Sequence, residues 1–263
     1  MRNVIKGFIT LSLVGIATAV AAQGTATQQT GKNFEPYSGQ PGKDVVWVPT
    51  PEVLVQKMLD MAKVTPKDFV MDLGSGDGRT VIAAAKRGAR AQGIEYNPDM
   101  VALSRKNAQD AGVTNLATFV EADLFKSDFS KADVVTMFLL PSINMRLRPQ
   151  ILEMKPGTRI VANTFSMEDW EADLQETVEN CTSWCNALLW IVPAKVEGTW
   201  QMPGGPLTLT QKFQVVSGTL GSTPITAAKL NGAQLTFTAG TTKYTGTVNG
   251  NTITGTGWTA TRR

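Results

Sequence analysis

The 263-residue chain contains no histidine. That absence excludes Ser-His-Asp and Cys-His nucleophile systems, and His-ligated zinc with them. Cysteine is almost as scarce, with only Cys181 and Cys185 in a C-x3-C spacing. A zinc site needs four ligands and the other soft ones do not exist in this chain, so no metal is expected. In an oxidising compartment so close a pair predicts a small structural disulfide instead. Long apolar runs are lacking too: the uncharged stretch 7–20 has 14 residues, short of the ~20 that a membrane-spanning helix needs. Net charge is only +3, which names no partner and gives no reason to expect a nucleic acid.

What the N-terminus does have is the layout of a secretory signal peptide. Arg2 and Lys6 precede the uncharged stretch, and the small residues Ala19-Val20-Ala21-Ala22 follow it. Cleavage after residue 22 predicts a periplasmic or secreted protein; an uncleaved membrane anchor is the alternative. Loss of 1–22 leaves 23 basic and 22 acidic side chains, a net of +1. Residues 23–45 are rich in Gln, Thr, Gly, Lys and Pro without apolar periodicity, and predict a flexible lead-in.

From there strands and helices alternate. Thr50-Pro51-Glu52 predicts a helix start with Thr50 as N-cap and Pro51 at the first helical position. Short apolar runs at 69–73, 91–95, 118–121, 132–138 and 159–163 predict strands, and the segments 80–87, 98–111 and 144–154 between them predict helices. Such alternation implies a mostly parallel, doubly wound sheet with helices on both faces, here over residues 46–193. Near its end, 174–180 and 186–192 read as an antiparallel hairpin with the two cysteines across its tip, although a helix through 168–178 fits the letters nearly as well.

After residue 194 acids almost vanish, and short Thr- and Gly-rich alternating runs follow one another. Asn231-Gly232 and Asn249-Gly250 are the clearest hairpin turns, so 194–263 predicts a small all-β domain, a partly closed barrel or a meander. It carries six basic residues against the single acid Glu197. A solvated basic face explains that imbalance; contact with an anionic envelope surface is the functional alternative.

The chemistry is carried by Val70-Met71-Asp72-Leu73-Gly74-Ser75-Gly76-Asp77-Gly78. Glycines at 74, 76 and 78 let the backbone pass close beneath a ligand at the carboxyl end of the first strand, where open parallel sheets bind. Glu95 lies at the end of the second strand, 17 residues beyond Gly78, and Asp123 lies past the third. A dinucleotide site would want G-x-G-x-x-G and no acid beside its pyrophosphate. Here the spacing is G-x-G-x-G and Asp72 precedes it, which suits a cationic sulfonium, S-adenosylmethionine. Glu95 is placed for both ribose hydroxyls and Asp123 for the adenine amino group.

The segment 46–193 resembles the seven-strand class I S-adenosylmethionine-dependent methyltransferases. Trp47-Val48-Pro49-Thr50-Pro51, the run 72–79 and Leu139-Leu140-Pro141 resemble one subgroup, the lysine methyltransferases of the ATP synthase c-subunit and of the adenine nucleotide translocase. The resemblance implies cofactor contacts at Asp72, Gly74, Ser75, Gly76, Gly78, Glu95 and Asp123, and a protein lysine or small amine as acceptor. The Asn-Pro-Pro-Tyr type motif of several amino methyltransferases is absent; the sequence there reads Phe138-Leu139-Leu140-Pro141-Ser142-Ile143-Asn144. No family-wide catalytic residue is therefore assigned, and Thr50, Asp77, Pro141 and Asn144 are the candidates for the acceptor rim. Export conflicts with a cofactor made in the cytoplasm, so an exported cofactor-binding or sensory protein without turnover is the alternative function.

Overall fold

The computed structural model describes residues 34–263, so the expected signal peptide, 1–22, lies outside the described residues. Seven strands, β1 (Phe69–Leu73), β2 (Arg90–Glu95), β3 (Ala117–Glu121), β4 (Val134–Met137), β5 (Arg159–Asn163), β6 (Leu174–Thr177) and β7 (Asn186–Ile191), form one sheet in the order β3-β2-β1-β4-β5-β7-β6. The first five run parallel; β7 pairs antiparallel with β5 and with β6. The doubly wound sheet with an antiparallel edge hairpin is thus as expected. Its strand order reverses between β1 and β4, and the crevice at their carboxyl ends is where such sheets bind ligands.

The strands of the sheet centre are apolar on both sides because both faces are covered. Val70, Val134 and Val161 face one layer with Leu54, Leu59, Val81 and Ala84. Met71, Val135 and Ile160 face the other with Leu147, Ile151, Trp170 and Trp190. The helices are α1 (Glu52–Met61), α2 (Arg79–Lys86), α3 (Pro98–Asp110) and α4 (Pro141–Leu152). Asn97 caps α3, its side chain accepting from the amides of Asp99 and Met100 ahead of Pro98 at the first position.

The predicted capping of α1 is corrected. Pro51 has ψ 139°, so Pro51 itself is the cap and the helix starts at Glu52. The Thr50 hydroxyl makes no cap; it accepts from Asn163 Nδ2 at 3.3 Å. A second correction concerns the lead-in. In its described part the chain folds back on itself, with Gln40 and Trp47 paired as an antiparallel bridge and Gly39 N–H donating to the Trp47 carbonyl at 2.8 Å.

Beyond the sheet, β8 (Gly198–Met202), β9 (Gly205–Lys212), β10 (Val215–Leu220), β11 (Thr223–Asn231), β12 (Gln234–Ala239), β13 (Thr242–Asn249), β14 (Thr252–Gly255) and β15 (Trp258–Arg262) close into an eight-stranded antiparallel barrel. Closure removes the exposed edges a meander would leave. Alternate residues such as Trp200, Leu207, Leu209, Leu235, Phe237 and Ile253 fill it. Gly246 and Gly255 make room for Trp258: a Cβ at Gly255 would lie 2.1 Å from its indole nitrogen. Barrel and sheet are packed together, since the Trp170 ring stacks on Phe213 at 5.6 Å and donates to Gln214 Oε1 at 2.9 Å.

Candidate functional site

The turn after β1 is built on backbone that side chains would disfavour. Gly74, Gly76 and Gly78 take φ of 78°, 52° and 82°, a region open mainly to glycine. The amides of Gly74 and Ser75 both donate to the Ile94 carbonyl, at 2.9 and 3.0 Å, which ties the turn to the end of β2. From α3, the Ser104 hydroxyl donates to the Gly76 carbonyl at 2.8 Å and Asn107 Nδ2 to the Asp77 carbonyl at 2.9 Å. The turn is therefore a braced cradle.

The three glycines serve different ends. A Cβ at Gly76 would lie 2.4 Å from the Trp47 indole nitrogen, and both residues line the crevice. Gly78 points the other way: its Cβ would meet the Phe119 ring at 2.7 Å and Ser104 Cβ at 2.9 Å, and it does not line the crevice. The side of Gly78 on which a Cβ would stand is filled by that packing, because helix, strand and turn converge on that point. Ser75 does line the crevice, and its buried hydroxyl has no partner among the described residues.

Glu95 turns toward the cradle. Its Oε2 accepts the Gly76 amide at 2.8 Å, while Oε1 accepts from Tyr96 and Asn97 amides at 2.9 and 3.0 Å. Asp72 is buried at the floor, where Thr136 Oγ1 donates to it at 2.6 Å. Desolvation pushes its carboxyl up to about 7, outweighing the Thr136 hydrogen bond, and the nearby charges of Glu95 and Asp77 push the same way. Asp123 lies at the far end of the crevice. Its Oδ1 caps the 3-10 turn Leu124–Lys126 through the Phe125 amide at 3.0 Å, and its Oδ2 pairs with Lys43 Nζ at 2.8 Å. The Lys43 hydrogen bond, then the Phe125 amide, hold this carboxyl below the usual range.

Of the rim candidates, Thr50 lines the crevice and its carbonyl accepts from Arg79 at 3.0 Å. Asp77 also lines it, but its carboxylate is gripped by Arg79 through Nε at 3.0 Å and Nη2 at 2.6 Å, which leaves it poorly suited to serve as a base. Asn144 is fully buried behind the rim, its Nδ2 donating to the carbonyls of Phe165 and Ser166, each at 3.2 Å. Pro141 opens α4 as its first residue and does not line the crevice.

Sequence reasoning did not find Arg79, Ser104, Asn107 or Lys43. Arg79 has no spacing rule of its own, and the α3 residues act from the opposite side of the turn. Trp47 carried a signal, as part of the stretch 47–51 that matched the methyltransferase subgroup. Lys43 fell in a segment whose composition resembles a linker, yet Nζ also lies 4.4 Å from the centre of the Tyr96 ring.

The residues fit S-adenosylmethionine. The glycine turn, Ser75 and Glu95 line one crevice with the buried Asp72, and a buried carboxyl raised by desolvation is relieved by a bound cation. Glu95 accepts the amides of Gly76, Tyr96 and Asn97 and keeps about one of its roughly four lone-pair directions for a ribose hydroxyl.

Comparison with known proteins agrees. Residues 72–174 match the family model described as ANTKMT methyltransferase domain. A protein-lysine N-methyltransferase of Saccharolobus islandicus is 45% identical over 129 residues, 48% of this chain and 80% of the relative. The human ATP synthase c-subunit lysine N-methyltransferase is 34% identical over 170 residues, 64% of this chain and 69% of the relative. Among solved structures, an RNA methyltransferase from Salinibacter ruber, in complex with S-adenosyl-L-homocysteine, is 45% identical with a TM-score of 0.54, covering 57% of this chain and 96% of that one. With the doubly wound sheet and the acid-flanked glycine cradle in place, the chain belongs to this family and is a class I S-adenosylmethionine-dependent methyltransferase.

Proposed function

We propose that this protein methylates the ε-amine of lysine in a protein acceptor, and does so in the cell envelope. The observation that carries the acceptor class is the 45% identity, over 80% of its length, to a relative named protein-lysine N-methyltransferase. The compartment is supported by the signal-peptide layout of residues 1–22 and by the disulfide between Cys181 and Cys185, bonds that persist in oxidising compartments.

The bound sulfonium supplies an activated methyl group with a good leaving group. Gly74, Gly76 and the Ser75 hydroxyl would seat its aminoacyl end and Asp72 its positive charge. Glu95 would hold the ribose hydroxyls and Asp123 the adenine end. The acceptor's lone pair forms the N–C bond as the C–S bond breaks with its electrons on sulfur, and the surplus proton leaves to solvent. This chain needs no strong base for that step; holding the two atoms at ~3–3.5 Å in line supplies much of the acceleration. An apolar mouth favours the neutral, nucleophilic amine over the ammonium ion.

The test is incubation of the full chain with methyl-labelled S-adenosylmethionine and envelope, cytoplasmic and RNA fractions. Label on lysine of an envelope protein is the expected result. A nucleic-acid acceptor is the second reading, favoured by the likeness to the Salinibacter ruber protein named as an RNA methyltransferase; label in RNA would establish it. Cofactor binding without transfer to any fraction would leave a sensory role.

A further inference from the structure

Three aromatic rings meet at the carboxyl edge of the sheet, beside the crevice. Phe138 follows β4 and lines the crevice, Phe165 follows β5, and Trp184 stands in the loop from β6 to β7. Because β6 runs antiparallel to β7 and β7 antiparallel to β5, that loop returns to the same edge as the cradle. The ring centres are 5.9 Å apart for Phe138 and Phe165, 5.7 Å for Phe138 and Trp184, and 5.4 Å for Phe165 and Trp184.

Two features mark the cluster as more than core packing. Trp184 is 40% exposed, although a ring of that size is normally covered. Its loop is closed by the bond between Cys181 and Cys185, which holds it against the two phenylalanines. Thr164 and Trp184 both have φ of 57°. For a β-branched threonine this is an outlier of the kind that gathers at ligand-binding edges. It folds the chain so that the Phe165 amide turns back to the Asn163 carbonyl at 2.6 Å, ending the strand and releasing the ring toward Phe138.

Buried acceptors without donors lie directly behind. Asn144 Nδ2 is spent on the Phe165 and Ser166 carbonyls and Asn163 Nδ2 on the Thr50 hydroxyl, while both Oδ1 atoms and Thr164 Oγ1 have no partner among the described residues. Buried acceptors are nearly always satisfied.

We propose that Phe138, Phe165 and Trp184 receive the side chain of the acceptor lysine, its methylenes against the rings. The inference rests on the lysine reading above. Aromatic faces attract the arriving ammonium ion, and the apolar surroundings then favour its loss of a proton. The disulfide is thereby a positioning device for the acceptor site, and the cofactor cradle does not depend on it.

The experiment uses the full chain with poly-L-lysine as probe and labelled S-adenosylmethionine, comparing wild type, Trp184→Ala and Trp184→Phe. The expected result is a KM for poly-L-lysine raised at least tenfold in Trp184→Ala and largely restored in Trp184→Phe, with cofactor Kd unchanged in both. Wild-type kinetics in Trp184→Ala, or loss of cofactor affinity in parallel with loss of transfer, would overturn the subsite while leaving lysine methylation standing. Failure of the wild type itself to label the polymer while it labels RNA would remove the lysine reading and this inference together.

Discussion

The Gly76 amide donates to Glu95 Oε2 at 2.8 Å, so one carboxylate both braces the cradle and faces the ligand position. Replacing Glu95 with Gln keeps the shape but weakens a charge-assisted bond of about 1.5–3 kcal/mol. Cofactor affinity is expected to fall about tenfold to a hundredfold, measured by titration calorimetry with S-adenosylhomocysteine. An unchanged Kd would show that the acid serves the turn alone.

Asp72 makes the site pH-dependent. Its carboxyl titrates at about 7 in the fold because burial outweighs the Thr136 bond, against ~3.9 in an unfolded chain. The folded protein therefore binds this proton more tightly. Its contribution to stability is complete below ~4 and is lost as pH rises through 7, on the order of a few kcal/mol. Without cofactor, Tm should fall from about pH 4 to 7 and level off above that, and Asp72→Asn should flatten that slope. Cofactor affinity should run oppositely in the wild type, rising with pH as the carboxylate ionises to meet a cation. A slope of the same sign in both titrations would exclude Asp72 as the counter-ion.

Gly76 and Gly78 separate binding from folding. Gly78→Ala meets Phe119 and Ser104 and keeps an unfavourable φ, which should cost roughly 2–4 kcal/mol of stability. Protein that remains folded should bind cofactor normally. Gly76→Ala meets the Trp47 ring instead, and should weaken cofactor binding with a smaller loss of stability. Denaturant titration alongside calorimetry distinguishes the two, and equal effects from both variants would contradict the assignment.

The contrast explains how much could be read without coordinates. The alternation of strands and helices, the glycine turn after β1 and the position of Glu95 at the end of β2 were legible because each follows from local rules: period, turn geometry and the end of a strand. The packing of Phe119 on Gly78 was not, since a contact 41 positions away leaves no mark in the local spacing. The hairpin at 174–192 was legible through its cysteines, whereas Phe138 and Phe165 meet Trp184 only after three strands are laid in order. The barrel's closure was missed because β11 and β15 read weakly: Thr226 to Lys229 holds a register shift, and Trp258 packs over glycines rather than alternating with large partners.

Lys43 tests how the described part of the N-terminal segment affects the crevice. Its Nζ occupies Asp123 Oδ2 and stands over Tyr96, where the adenine end of the cofactor would bind. Lys43→Ala should give a modest gain in cofactor affinity that disappears at high salt, since an exposed ion pair is weak and screened. A loss of affinity in this variant would mean that Lys43 helps to hold the cofactor instead of competing with it.

Sheet and barrel should unfold as one unit because their contact is a buried aromatic stack with satisfied polar groups. Trp170 is fully buried, lies on Phe213 and donates to Gln214, while Trp190 Nε1 donates to the Trp170 carbonyl at 2.7 Å. Each ring nitrogen is paired, so the junction carries no penalty for a lone polar atom. Removing the ring with Trp170→Ala opens a cavity between the layers, which should cost about 3–5 kcal/mol. Because Phe213 belongs to the barrel and Trp190 to the sheet, the loss should lower the unfolding midpoint of both parts together in denaturant titrations followed by tryptophan fluorescence and by far-ultraviolet circular dichroism. Two separated transitions in the wild type would show instead that the barrel is an independent module, and that the stack across the junction contributes little to either part.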